Sequence, residues 1–206
     1  SLKIINMKRS MLPITLFVFL GFSSAISELT EAERNYAITA LSNSKQHIVK
    51  ATQDLSEEQL NYQPDENTWS IAQIMEHLAV SEEMMFTMVQ ESLKSPADPS
   101  RRAEVTMKDE EVLNLVEDRS KKVKTMEPLE PTDRFGSFEG SLEKFESRRA
   151  AHIDYVKNTK DDLRNHYQKL PFGTIDAYQT LLFMSGHSER HLMQMHEVMS
   201  DPGFPE

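Results

Sequence analysis

Apolar residues recur at three- and four-residue intervals through most of the chain, the pattern of helices that each bury one face. A first segment from about Glu31 to Leu55 carries the stripe Ala37, Leu41, Ile48 and Leu55. It opens on Thr30 with Glu33 three residues later, a capping box that satisfies two orphan N–H groups. A second capping pair, Ser70 and Gln73, starts a segment that runs to about Leu93. Its apolar arc is Ile71, Ile74, Leu78, Met85 and Val89, and "SPADPS" stops it because proline cannot continue a helix. Between the two, "SEEQLNYQPDENT" reads as a linker. Residues 108–126 predict a shorter, polar helix with Val112, Leu115, Val116 and Val123 on one side. After the loop "EPLEPTDRFGS" comes a third long segment, about Phe138 to Asp162. Leu142, Phe145, His152, Val156 and Leu163 share its inner face. "KLPFGT" breaks it, and a last helix runs from after Thr174 to about Ser200. No stretch stands out as a strand. Four long stripes bury one another best as an all-α four-helix bundle, with one additional short helix outside it or capping one end.

The length of 206 residues suits one domain with a sizeable core. A formal net charge of -10 argues against nucleic acid and against anionic membrane surfaces as partners. The absence of cysteine excludes disulfides, a thiol nucleophile and cysteine-bound zinc. The basic start Met7-Lys8-Arg9-Ser10, the apolar run "MLPITLFVFLGF" and the small residues "SSA" follow the order of a secretory signal peptide. That run is well short of the ~20 residues a membrane span needs. The expected division is therefore residues 1–25 as upstream sequence and signal peptide, cleaved near Ala25, and residues 26–206 as the bundle domain. The expected location is periplasmic or secreted, with no membrane contact after cleavage. Cleavage removes Lys3, Lys8 and Arg9 and no acid, which takes the charge from -10 to -13.

The chemistry sits in the histidines. In "MSGHSERHLMQMHEV" (Met184 to Val198), His187 and His191 are four residues apart. With Met184 as reference, His191 lies about 20° and His187 about 60° from the centre of the apolar stripe. His196 points elsewhere, toward solvent. Imidazoles at i and i+4 sit about 5–6 Å apart at Cβ, so one ion can bridge them. On the second helix His77 lies about 60° from Ile74, at the edge of the buried face. A third imidazole from there would complete a three-histidine site with open coordination positions, the catalytic pattern for zinc. Spacing alone leaves ordinary packed histidines open as a reading, and no "HExxH" motif is present. His152 and Arg149 also point inward from the third helix. His152 reads as a core histidine bonded to a carbonyl, with a polar group near the site as the alternative. Arg149 reads as the partner of an acid, with an anionic substrate as the alternative. Glu76 and Glu82 are available to orient a ligand imidazole, although both read as surface charges. His47 and His166 read as solvated or loop-borne. Twelve methionines would suit Cu(I), but at helical spacing they read as flexible core filler.

"TWSIAQIMEHLAVSEE" (Thr68 to Glu83), followed much later by "AYQTLLFMSGHSERHLMQMHEV" (Ala177 to Val198), resembles the DinB-like superfamily. The resemblance covers about residues 30–200. It rests on "W-S-x-x-x-x-x-x-H-L" and a late "H-x-x-x-H-L-x-Q". It implies a four-helix bundle binding a divalent metal ion, zinc or nickel most often, through one histidine of the second helix and two of the last. Those positions here are His77, His187 and His191. It implies a small-molecule substrate; many relatives are dimers, which leaves a homodimer open here. Some members are S-transferases that use bacillithiol or mycothiol, one branch isomerises maleylpyruvate, and many are described as metal-dependent hydrolases.

Two classes of function follow. One is an enzyme, hydrolase or thiol S-transferase, acting on a small electrophile through water or thiol activated by the metal; His152, Arg149 and Glu82 are its candidate supporting or substrate-contacting groups. The other is a non-catalytic exported metal-binding or stress-related module. An open cleft over the three imidazoles favours the first, and a capped site favours the second.

Overall fold

A computed structural model of the protein describes residues 27–120 and 124–206. The expected signal peptide, and Val123 of the short helix, lie outside the described residues. The four long helices are α1 (Glu31–Thr52), α3 (Ile71–Ser92), α5 (Phe138–Asn158) and α6 (Ala177–Met199). Both capping boxes form as the sequence predicts. The Thr30 hydroxyl accepts from the Glu33 N–H at 3.2 Å, and that of Ser70 accepts from the Gln73 N–H at 3.2 Å. Asp176 caps α6 in the same way through the Gln179 N–H. Helix α3 packs on α5 and α6, and α1 packs on the same two, which closes the bundle. The fold is all-α, as expected.

The stripes meet in two apolar clusters. One holds Leu41, Met85, Val89, Val156 and Leu181, and the other Ile48, Ile74, Leu78, Phe145 and Met195. Each fully buried side chain of this size contributes about 1.5–3 kcal/mol. Arg149 joins the clusters. Its guanidinium donates to the Leu41 and Met184 carbonyls and lies 5.0 Å from the Phe145 ring.

Four local features differ from the sequence expectation. The linker after α1 contains a one-turn helix, α2 (Glu57–Asn61), opened by its own Ser56–Gln59 capping box. The short polar helix, α4, spans only Asp109–Glu117. Val112 and Val116 are buried on α6, whereas Leu115 faces solvent. Helix α5 ends at Asn158. The breaker "KLPFGT" belongs to an antiparallel hairpin, β1 (Tyr167–Leu170) with β2 (Gly173–Asp176), turning at Pro171-Phe172. Four-residue strands are too short for alternation to register. Gly173 takes a φ of 144° at the turn exit, where a side chain would be strained.

Helix α4 reaches α6 closely because of Gly186, beside His187. A Cβ there would sit 3.3 Å from the Leu113 carbonyl oxygen and from Val116 Cβ. Gly186→Val should therefore overpack the α4–α6 contact and destabilise by about 1–3 kcal/mol. Urea unfolding of the two proteins checks this, and an unchanged midpoint would contradict it.

Candidate metal centre

Helices α3 and α6 lie side by side, and their inner edges bring His77, His187 and His191 together. His187 Nε2 is 3.3 Å from His77 Nε2 and 3.2 Å from His191 Nε2. One ligand atom from each of the three lies within 4.8 Å of the others. Tetrahedral ligands about 2.0–2.1 Å from a zinc ion are about 3.3 Å apart. The triad thus fits a single divalent cation, and among the described residues it is the one such cluster of histidines, cysteines and carboxylates.

The far sides of the rings fix which nitrogen is available. His77 Nδ1 lies 2.9 Å from the Leu129 carbonyl, which can only accept, so the proton sits on Nδ1 and Nε2 offers a lone pair. His191 Nδ1 lies 2.8 Å from Gln194 Oε1, with the same consequence. Holding the outer nitrogen this way sets the tautomer and aim of a metal-binding imidazole. His187 differs, since its Nδ1 is enclosed and has no hydrogen-bond partner. Its ring is fixed by contact instead. Phe183 stacks over it at 6.3 Å, and Phe172 of the hairpin turn stacks on Phe183 at 5.9 Å. The Ser81 hydroxyl, one turn along α3, lies 3.4 Å from His77 Nε2 and points at the same centre.

Burial pushes all three imidazoles toward the neutral form that ligation needs. His77 is lowered by desolvation against the opposing effect of the Leu129 carbonyl. His187 is lowered well below the usual range by burial and then by His191 and His77. His191 falls to about 3, through burial and then the neighbouring His77. An unfolded imidazole titrates near 6.5. Between that value and about 3, the unfolded chain binds a proton at His191 that the folded, metal-free chain does not. Stability of the metal-free protein should then fall as pH falls below 6.5, by about 1.4 kcal/mol per pH unit from this residue. Denaturant unfolding at pH 7, 6 and 5 measures it, and a flat profile would refute it.

Behind the triad lies a buried charged network. Arg149 makes a bidentate pair with Glu82 at 2.6 and 2.7 Å and donates to the Ser188 and Ser44 hydroxyls. His152 Nδ1 meets Glu82 Oε1 at 2.9 Å, and its ring stacks on Phe86 at 4.0 Å. Burial would raise the Glu82 carboxyl, but Arg149 and His152 together hold it below the usual carboxylate range. Arg149 pairs with an acid, as read from sequence. Other expectations are corrected. His152 bonds a carboxylate rather than a carbonyl. Glu82 and Glu76 are buried, not on the surface, and among the described residues their carboxylates bond other partners than the triad rings. Arg149 donates to the hydroxyl of Ser188, the neighbour of His187, and its charge adds to the effects that lower His187. His166 lies between α5 and β1, but it is buried and pairs with the Ser92 carbonyl, so it is not solvated. His47 is exposed and bonds Glu189, and His196 faces solvent.

A cleft of about 790 Å³ reaches the triad at His191. Trp69, Gln194, Arg119, Arg190 and Glu197 line it. The Trp69 ring lies 5.2 Å from that of His77. The volume is in the range of small-molecule sites. A second cavity of about 660 Å³ lies by α2 and the loop before α5. Its charged lining groups are carboxylates. Sequence reading missed Leu129, Gln194, Trp69 and Ser81 as parts of the site. Trp69 and Gln194 stand in the two quoted motifs, whereas a backbone carbonyl such as that of Leu129 leaves no sequence signal.

The fold and site define a helical bundle with three histidines, placed to hold a cation, at one edge of its core. The sequence model of the DinB superfamily matches residues 40–195, so the chain belongs to that superfamily. It is similar to YuaE, an uncharacterized protein of Bacillus subtilis strain 168, with 28% identity over 147 residues, 70% of this chain and 85% of YuaE. Among solved structures it resembles YfiT from Bacillus subtilis, with a TM-score of 0.55, 17% identity and coverage of 87% of this chain and 93% of that one. YfiT is described as "a probable metal-dependent hydrolase with an unusual four-helix bundle topology".

Proposed function

We propose that this protein is a metal-dependent hydrolase of a small electrophilic substrate, with a zinc or nickel ion held by Nε2 of His77, His187 and His191. The observation that carries this reading is the convergence of three neutral imidazole nitrogens at cation spacing beside an open cleft. The hydrolase description of YfiT supports it. Bound there, the cation would supply a Lewis acid that lowers the pKa of a bound nucleophile and polarises the group under attack. The chain's own groups do the rest. Leu129 and Gln194 hold two rings in the donating tautomer. The aromatic stack of Phe172 and Phe183 shields His187 from water. Trp69 offers an apolar wall for the body of a substrate, and the cleft lets it enter.

Elemental analysis of purified protein tests the metal, with about one zinc or nickel per chain expected. Metal-free and reloaded protein assayed on model esters, and on thiols with an electrophile, then separates hydrolysis from thiol transfer. Hydrolysis that appears only on reloading supports the proposal. Transfer without hydrolysis would favour the S-transferase. Absence of bound metal would remove the basis of both. A loaded but inert protein would favour a metal-binding module.

A further inference from the structure

We infer that Glu76 is a positioning residue for the metal ligand next to it in sequence, and that it acts through the loop before α5 rather than by touching His77. Its carboxylate is buried and accepts three consecutive backbone N–H groups. Thr132 and Arg134 donate to Oε1 at 2.8 and 3.1 Å, and Asp133 donates to Oε2 at 2.8 Å. Asp133 has a φ of 61°, the one positive value at a non-glycine among the described residues. Successive N–H groups turned inward by such a residue form a concavity for an anion. Here the anion is a side chain of α3.

The same loop carries the acceptor for His77. Leu129 is buried, and its carbonyl takes the Nδ1 proton of His77 at 2.9 Å. Arg134 connects the two anchor points. Its guanidinium donates to the carbonyls of Pro128 and Glu130, on either side of Leu129, at 2.8 and 3.5 Å. Its Nε donates to Thr132 Oγ1 at 3.1 Å. Glu76 thus fixes Thr132 to Arg134, Arg134 fixes the peptide around Leu129, and Leu129 fixes the tautomer and aim of His77. The loop has no regular structure beyond a short 3₁₀ turn at Glu127–Leu129. Burial of Leu129 and the turn's own hydrogen bonds seat it on α3, and Glu76, through Arg134, sets the direction of the carbonyl. Outer hydrogen-bond partners of metal ligands commonly change metal affinity 10- to 100-fold.

The affinity consequence rests on the proposed metal site, whereas the tautomer consequence does not. The experiment compares wild-type protein with Glu76→Ala, Glu76→Gln and a control, Glu91→Gln, an exposed acid of the same helix paired with Lys94. Apparent zinc affinity is read by competition with a chromophoric chelator. The His77 Nδ1–H is read by proton–nitrogen NMR on the metal-free protein. Glu76→Ala should weaken zinc about 10- to 100-fold and remove the protected Nδ1–H signal, with helix content retained. Glu76→Gln keeps an acceptor for Thr132 and Arg134 but turns an amide toward the Asp133 N–H, so its effect should be intermediate. Glu91→Gln should match wild type. Should Glu76→Ala fail to fold, Glu76→Gln decides. Wild-type affinity together with a wild-type His77 signal in the Glu76 variants would overturn the inference. Wild-type protein that binds no zinc would refute the metal site, and the His77 signal alone would then decide the role of Glu76.

Discussion

His191→Ala should lower the affinity for zinc by two to three orders of magnitude. Zinc binding by a full protein site is worth about 10–16 kcal/mol, so one ligand of four accounts for about 2.5–4 kcal/mol. Each 1.4 kcal/mol is a factor of ten in affinity. His191 is the one of the three histidines that lines the cleft, so its loss would expose a bound ion instead of letting a neighbour close over it. The thermal signature is specific. Excess zinc should raise the Tm of wild-type protein, because a ligand at free concentration L that binds only the folded state stabilises it by RT ln(1 + L/Kd). The same concentration should do little for the variant. His196→Ala, one turn and a residue further along α6 and exposed, should behave as wild type in both measurements. An unchanged chelator-competition curve for His191→Ala would mean that the three nitrogens do not share an ion.

The triad was legible in the sequence for a geometric reason. Residues four apart on a helix share a side, and the direction of the apolar stripe says whether that side is inward. His187, His191 and His77 were placed at the inner edge by that argument, and the structure puts them there. The four long helices were equally plain, since their capping boxes at Thr30 and Ser70 lie in the sequence itself. What escaped were groups whose role comes from partners far along the chain. Glu82 reads as one acid in a run of charges, and only the approach of α5 brings Arg149 to it. Glu76 reads as solvated until the loop 56 residues later folds over it. The hairpin escaped because strands of four residues, one carrying Lys169 outward and both ending at a proline turn, show no usable alternation. The end of α5 at Asn158 escaped because the apolar period continues to Leu163, which reaches the core from the segment after the helix.

Arg149→Met should cost about 3–5 kcal/mol, the usual loss when one member of a buried ion pair is removed and the other charge is stranded. The pair is fully enclosed, with side-chain exposures of 0% and 1%. Water therefore cannot replace the missing guanidinium. Among the described residues, His152 would be left as the one side-chain partner of the Glu82 carboxylate. The polar groups that Arg149 also serves are less exposed to its loss. The Leu41 carbonyl keeps the Ser44 hydroxyl, and the Met184 carbonyl keeps that of Ser188. This predicts a strongly non-additive cycle. Glu82→Met should also be costly, because it strands the guanidinium. The double variant Arg149→Met with Glu82→Met should recover most of the loss, since well-packed apolar replacements of buried ion pairs are often neutral or better. Urea unfolding of the four proteins gives the coupling energy directly. Additive losses would mean that the two charges do not act as a unit. Zinc affinity measured on the same set separates stability from function. Ser188 lies beside His187 and loses only one of its two hydrogen bonds in the double variant, so a refolded core with weakened zinc binding would show that the ion pair also sets the aim of His187.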